Sequence, residues 1–165
     1  MNNNLTTYLH DHLAGARFAT SLLSDMARQD LDGEIAAFAA ALLLEVQADQ
    51  DELQRLVELL DSQPSIIKEA SAWLTQKMGR LKFQLSSEPF GIFEALEVLS
   101  LGILGKIALW NALQETDAIP QSSSLDQKKL LQRAREQYAN VETRRLRYAR
   151  QTLAEGAAST AVAGE

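Results

Sequence analysis

The fold class follows from residues 34–60, EIAAFAAALLLEVQADQDELQRLVELL, where apolar side chains return every three or four positions. That spacing places them on one face of an α-helix. About thirty residues of helix span roughly 45 Å, so this stretch predicts one long amphipathic helix. Its apolar stripe consists of Ile35, Phe38, Leu42, Val46, Leu53, Leu56 and Leu60.

The same periodicity extends outward from this helix in both directions. Further helices are predicted over residues 4–29, 65–85, 90–115 and 124–155. Ser124 and Gln127 have the spacing of a capping box, which predicts that the last helix begins at Ser124. We expect residues 1–155 to form a single helical-bundle domain and residues 156–165 to be a flexible tail.

The connection between the second and third long helices, residues 61–89, is much longer than an ordinary bundle loop. About twenty helical residues cover roughly 30 Å, so a short helix over residues 65–85 can return the chain to the opposite end of the bundle. The two long helices on either side of it then run in the same direction. The sequence therefore predicts an all-α, up-down-down-up four-helix bundle with an extra short crossover helix.

Charge is distributed unevenly between the long helices, although the whole chain is acidic, with a net charge of −6 at pH 7. Residues 30–61 hold nine acidic residues and one basic residue, Arg55. Residues 128–150 hold eight basic and two acidic residues. In the predicted topology these two helices are antiparallel neighbours that attract each other. The acidic net charge also argues against a nucleic-acid partner.

Composition excludes several other classes of protein. A hydrophobic content of 46% is too high for a disordered chain, and the absence of cysteine excludes disulfides and thiolate metal sites. The longest nearly apolar stretch, residues 98–105, is far shorter than the roughly 20 residues of a membrane span. The polar amino terminus shows no targeting segment, so a cytoplasmic location is expected.

Each long helix carries a polar residue within its apolar stripe, and these residues are His12, Asp49, Glu97 and Arg145. Burying such groups without partners is unfavourable, so we expect them to form a buried polar cluster. The predicted pairs are His12 with Asp49 and Glu97 with Arg145. A carboxylate next to His12 in a medium of low dielectric constant would raise the pKa of the imidazole.

Several stretches, taken in their order and spacing, resemble the ferritin-like superfamily, and more narrowly small bacterial ferritin-like proteins of unassigned function. They are residues 8–16, 45–53, 72–74, 94–102 and 141–146. The resemblance implies a di-iron or di-manganese carboxylate centre, built from Glu on two helices and Glu-x-x-His on the other two. It also implies a homodimer.

The ligand pattern that the resemblance implies is incomplete in this sequence. Ala48 follows Glu45 by three residues, and Arg145 follows Glu142, where Glu-x-x-His would place histidines. His12 stands where the first helix would supply a glutamate. We therefore predict a degenerate metal site with no cofactor and no catalytic residue. The alternative is an iron or manganese site formed by Glu45, Asp49, Glu94, Glu97 and His12.

Three functions remain open on this basis. The first is a non-catalytic bundle that acts through surface contacts or self-association. The second is a di-metal carboxylate protein that handles iron or oxygen. The third is a binder of a small apolar molecule in a gap near Gly102. Gly102 and Gly105 are unfavourable inside a helix by about 1 kcal/mol each, which predicts a close approach of a neighbouring helix there.

Overall fold

Four α-helices account for most of the computed structural model, which describes residues 3–29, 33–60, 88–120, 123 and 125–154. The helices are α1 (Asn3–Arg28), α2 (Gly33–Leu60), α3 (Pro89–Glu115) and α4 (Gln127–Leu153). Those residues contain no strand, which confirms the all-α prediction. The predicted short helix over residues 65–85 and the predicted tail, residues 156–165, lie outside the described residues.

The ends of α3 and α4 show how local chemistry sets helix boundaries. Pro89 lies in the first turn of α3, where its missing N–H breaks no helical hydrogen bond. Asp126 is the N-cap of α4 and accepts a hydrogen bond of 3.0 Å from the backbone N–H of Lys129. The predicted start of this helix at Ser124 is wrong, because the Asp126 carboxylate already has the N-cap geometry. Gln127 is the first helical residue, and its side chain donates to the carbonyl of Trp110 at 2.8 Å.

The helices form two antiparallel pairs, α1 with α2 and α3 with α4. Between α1 and α2, Arg17 donates to Gln54 and Thr20 donates to Gln50, so the sequence numbers run in opposite directions. Glu97 binds Arg145 and Lys106 binds Gln137 in the same antiparallel order between α3 and α4. Residues 29–32 connect α1 to α2, and residues 116–126 connect α3 to α4.

Acidic α2 faces basic α4 across the bundle, as the charge pattern predicts. Arg147 donates to Glu34 at 2.6 Å near one end, and Arg133 forms an ion pair with Asp49 nearer the other. The opposite order of these contacts makes α2 and α4 antiparallel. The guanidinium of Arg144 also lies 3.9 Å from the centre of the Phe38 ring, so the apolar and charged parts of this interface are interleaved.

The hydrophobic core is divided into two clusters along the length of the bundle. Leu23, Ile35 and Tyr148 belong to the cluster at one end. Leu13 and Trp110 belong to the cluster at the other. Each of α2, α3 and α4 carries a polar side chain between the residues that it contributes to the two clusters. These side chains are Asp49, Lys106 and Gln137, and they place a polar layer at mid-height.

Candidate functional site

The centre of the polar layer is the carboxylate of Asp49, whose side chain is only 4% exposed. Its Oδ2 accepts hydrogen bonds from Lys106 Nζ at 2.6 Å and from Gln137 Nε2 at 3.1 Å. Arg133 Nη2 forms an ion pair with Oδ1. Lys106 also donates to Gln137 Oε1, and the Gln137 amide reaches Glu45 at 3.1 Å. These five residues form the central network, which joins α2, α3 and α4.

Burial and charge pairing act on Lys106 in opposite directions, and burial has the larger effect. Burial lowers the pKa of the Lys106 ammonium, and the adjacent Asp49 carboxylate opposes that shift. Removing both charges from water is unfavourable, so each needs the partners that the other helices provide. The layer therefore acts as a specific connection between the two helix pairs.

His12 does not pair with Asp49, because the oxygens of that carboxylate are bound by α3 and α4 side chains. The imidazole instead makes an edge contact with the Tyr8 ring, with the ring centres 4.6 Å apart. Burial lowers the pKa of His12, and Asp11 opposes the shift only in part. The predicted increase in the pKa of His12 is therefore wrong. An imidazole that is largely desolvated and has no carboxylate bound to it favours the neutral form.

Glu97 and Arg145 do contact each other, but at the surface. Arg145 Nη1 donates to Glu97 Oε2 at 3.0 Å, and the Glu97 side chain is 49% exposed. Arg145 also binds Glu142 through two hydrogen bonds of 2.7 and 2.8 Å, and these hold the pKa of the Glu142 carboxyl below its usual value. The inward position on this part of α3 belongs to Ser100, which donates to Glu142 at 3.3 Å.

The residues considered as metal ligands do not fit a di-metal centre. Glu45, Glu94 and Glu97 are exposed, whereas Asp49 is buried and His12 is partly buried. No three of the described His, Asp and Glu side chains are grouped closely enough to hold a metal ion. Lys106 and Arg133 also bind the Asp49 carboxylate, and these two cations would repel a metal ion there.

An apolar cavity of about 680 Å³ lies beside the polar layer, between α1, α2 and α3. It exists because the facing positions of α1 and α3 carry small residues, among them Gly15, Ala16 and Gly102. A Cβ atom added at Gly15 or Gly102 would have no neighbour within 4 Å. At Gly105 it would meet only the Cε1 atom of His12, at 4.0 Å.

The expectation that α3 approaches another helix closely at its glycines is therefore wrong. Gly102 and Gly105 face open space in the cavity, and the missing side chains are what create that space. Small residues in a helix face leave a void unless the partner backbone moves inward. Here α3 is joined to α2 through a long side chain, since Lys106 binds Asp49, rather than by close packing at the glycines.

Few polar groups line the cavity, and most of them have partners. Lys106 and Asp49 bind each other on its wall, and His12 lies beside them. Trp110 also lines the cavity and is 1% exposed. Its indole Nε1–H has no hydrogen-bond acceptor among the residues that the structure describes. The walls of the cavity are thus mainly apolar.

Three of the five members of the central network were not identified from the sequence, namely Lys106, Arg133 and Gln137. The sequence does indicate two of them, because Lys106 and Gln137 interrupt apolar stripes. Lys106 lies between Ile103 and Leu109 in the most apolar helix, and Gln137 lies between the buried Ala134 and Val141. Nothing in the sequence distinguishes Arg133, because it is one of many basic residues on a helix that is basic overall.

None of the helices in the described ranges is long and apolar enough to cross a membrane. Comparison with protein-family models, with curated proteins and with solved structures finds no match for the chain. The proposed function therefore rests on the geometry of the polar layer and of the cavity.

Proposed function

We propose that this protein is a non-catalytic, ferritin-like helical bundle without a functional di-metal centre, and that it binds a small apolar molecule. The observation that carries the proposal is the cavity of about 680 Å³ between α1, α2 and α3. Pockets for small ligands generally occupy about 300–1,000 Å³, are mostly apolar and contain a few polar groups. This cavity has each of those properties.

The directions of the helices support the ferritin-like part of the proposal. Since α1 and α2, α2 and α4, and α3 and α4 are antiparallel pairs, α2 and α3 point the same way. The end of α2 and the beginning of α3 therefore lie at opposite ends of the bundle, as the up-down-down-up order requires. The proposal includes the short crossover helix predicted over residues 65–85. Homodimerisation and a cytoplasmic location remain predictions from the sequence.

The central network supports the loss of the metal centre. In a di-metal carboxylate protein the inward side chains of the four helices are anionic or neutral ligands. In this bundle Lys106 and Arg133 supply two positive charges next to the only buried carboxylate among the described residues. Their ion pairs with Asp49 take the place of metal coordination in holding the helices together.

Dye binding tests the cavity directly. Nile red, a neutral dye whose emission rises in apolar surroundings, should bind the wild-type chain and fluoresce more strongly. Gly102→Phe places a ring in the cavity and should weaken dye binding at least tenfold. Ala108→Phe is the matched control, since Ala108 is exposed on the same helix and does not line the cavity. Equal dye binding by both variants would refute the cavity as the site.

Metal analysis tests the proposed absence of a functional di-metal centre. The protein is purified without chelator, and its metal content is measured by mass spectrometry before and after Fe(II) is added in air. We expect no stoichiometric metal and no oxygen consumption. About two metal ions per chain, with oxygen consumed, would instead establish a di-metal protein.

A further inference from the structure

We propose that the ligand of this cavity is a neutral, mainly apolar molecule that carries a hydroxyl group, and that this hydroxyl donates a hydrogen bond to the imidazole of His12. This inference rests on the proposed function, because it names the chemistry of the molecule that the same cavity would hold.

The first observation is the position of the His12 ring. His12 lines the cavity and is partly exposed, so its ring is within reach of a molecule held there. A Cβ atom added at Gly105, on the α3 wall, would lie 4.0 Å from His12 Cε1, the ring atom between the two imidazole nitrogens. The tip of the imidazole therefore points from α1 across the cavity towards α3.

The second observation is the unused hydrogen-bonding capacity of this imidazole. Within the described ranges neither ring nitrogen of His12 has a hydrogen-bond partner. Unlike Trp110 Nε1, neither is among the fully enclosed polar atoms that lack a partner. A neutral imidazole has one N–H donor and one nitrogen that accepts a hydrogen bond. A hydroxyl group on the ligand supplies the donor for that accepting nitrogen.

The charges on the cavity wall exclude an anionic ligand. Asp11 and Asp49 both line the cavity, and Lys106, the one Lys or Arg among the described lining residues, already binds Asp49. An anion would face two carboxylates without a cation of its own, whereas the O–H dipole of a donating hydroxyl is attracted by them. A donor is therefore favoured over a group that only accepts.

The surroundings of His12 also disfavour a cationic ligand. Burial lowers the pKa of the imidazole although Asp11 opposes the shift, so a positive charge is less stable at this position than in water. An ammonium group next to His12 would lose its hydration in the same way. A hydroxyl group makes the same hydrogen bond at a much smaller cost of desolvation, which favours a neutral ligand.

Four naphthalenes of similar size test this inference by displacing Nile red. Position 1 of the ring carries a hydroxymethyl, ethyl, acetyl or aminomethyl group. The measured quantity is the affinity of the hydroxymethyl compound divided by that of the ethyl compound, at about pH 8, where His12 is neutral. This ratio should fall about fivefold in His12→Phe, which keeps a ring but has no nitrogen, because one ordinary hydrogen bond is lost.

The remaining compounds test the direction of the hydrogen bond and the charge of the ligand. The affinity of the acetyl compound divided by that of the ethyl compound should be the same in wild type and in His12→Phe, because a carbonyl cannot donate. The aminomethyl compound should bind at least about tenfold more weakly than the hydroxymethyl compound. Ala108→Phe is again the matched control, since it adds a ring outside the cavity and should leave every ratio unchanged.

A second readout does not depend on the folding of a variant. In the wild-type chain labelled with nitrogen-15, the resonance of the non-protonated ring nitrogen of His12 should move upfield with the hydroxymethyl compound and not with the ethyl compound. The chain has two histidines, so either His10→Gln or His12→Phe assigns the signal.

The outcomes separate the two proposals. Failure of Nile red and of every naphthalene to bind would overturn the proposed function and this inference together. Binding of the neutral naphthalenes with an unmoved His12 nitrogen resonance, or with an unchanged hydroxymethyl ratio in His12→Phe, would overturn only this inference. An equal fall in the acetyl ratio would overturn the assignment of a donating ligand. Tightest binding by the aminomethyl compound would overturn the assignment of a neutral one.

Discussion

Asp49 is buried in the middle of the bundle, and side chains from α3 and α4 bind its carboxylate. Removing one member of a buried ion pair leaves the other without compensation. Asp49→Ala should therefore lower the free energy of unfolding by about 3–5 kcal/mol. Glu97→Ala is the control, because its ion pair with Arg145 is half exposed and should contribute at most about 1 kcal/mol. Urea denaturation measures both.

A double variant distinguishes an uncompensated charge from the loss of packing. Asp49→Leu combined with Lys106→Met replaces both charges with apolar groups of similar length. We expect it to be more stable than Asp49→Ala, since no buried ammonium is left without a partner and Arg133 is exposed enough to reach water. Asp49→Ala as stable as Glu97→Ala would show that the central network does not hold the helices together.

His12 gives the bundle a dependence on pH. Burial lowers the folded-state pKa of His12 below the ordinary value of 6.5, so the unfolded state binds the proton first as the pH falls. The stabilisation that the neutral imidazole contributes is present above pH 6.5 and is lost as the pH falls through the folded pKa. Wild type should thus lose stability relative to His12→Gln between about pH 7.5 and about pH 5.

Thermal melts of wild type and His12→Gln between about pH 7.5 and about pH 5 measure this loss of relative stability. His10 is present in both chains, so the comparison isolates the contribution of His12. A gain in the relative stability of wild type at low pH would contradict this prediction. It would mean that a carboxylate stabilises the imidazolium of His12 in the folded protein.

At the scale of the element, α3 combines high apolarity with glycines that face the cavity. Gly102 lies inside this helix, and a Cβ atom there would touch nothing within 4 Å. Gly102→Ala should therefore stabilise the fold by about 1 kcal/mol, the difference in helix propensity. Gly33→Ala is the matched control, because Gly33 also has open space but is the first residue of α2.

The propensity effect is smaller at a helix end, where fewer hydrogen bonds depend on the residue, so Gly33→Ala should change stability little. Chemical denaturation without added ligand measures the change in the free energy of unfolding for Gly102→Ala and for Gly33→Ala. A loss of stability in Gly102→Ala would mean that the space beside Gly102 is occupied in the folded protein, and the cavity would then be smaller than the structure shows.

At the scale of the whole molecule, opposite charges hold α2 against α4. Glu34 binds Arg147 at 2.6 Å and lies 3.7 Å from Arg144, and all three side chains are at least partly exposed. Salt screens exposed pairs, with a Debye length of about 10 Å at 0.1 M falling to about 3 Å at 1 M. Wild type should exceed Glu34→Gln in stability by about 0.5 kcal/mol at low salt, and this difference should vanish at high salt.

The comparison with Glu34→Gln is needed because salt also weakens repulsion within a chain of net charge −6, which is stabilising. Thermal melts of wild type and Glu34→Gln, in dilute buffer and in about 1 M NaCl, give the difference in stability between the two chains at low and at high salt. A difference that persists at high salt would show that Glu34 acts through packing or hydrogen bonding rather than through charge.

The helices themselves were predictable because their signals are local. Apolar side chains at a spacing of three or four residues define a helix within one stretch of chain, and Pro89 marks the start of α3. The predicted bounds of α1, α2 and α3 agree with the structure to within about one residue, which is inside the usual uncertainty of helix ends, whereas α4 begins about three residues later than predicted. The adjacency of α2 and α4 was also predictable, since blocks of opposite charge attract whatever the details of packing.

The partners of individual side chains depended on the tertiary structure. The apolar stripe of α2 shows that Asp49 faces the interior of the bundle. The register and rotation of α3 and α4 then decide that Asp49 binds Lys106 and Gln137 rather than His12. A small rotation of a helix likewise moves Glu97 from the interior to the surface. The cavity is a property of three helices at once, because residues of α1, α2 and α3 line it and no single helix shows how far apart they lie.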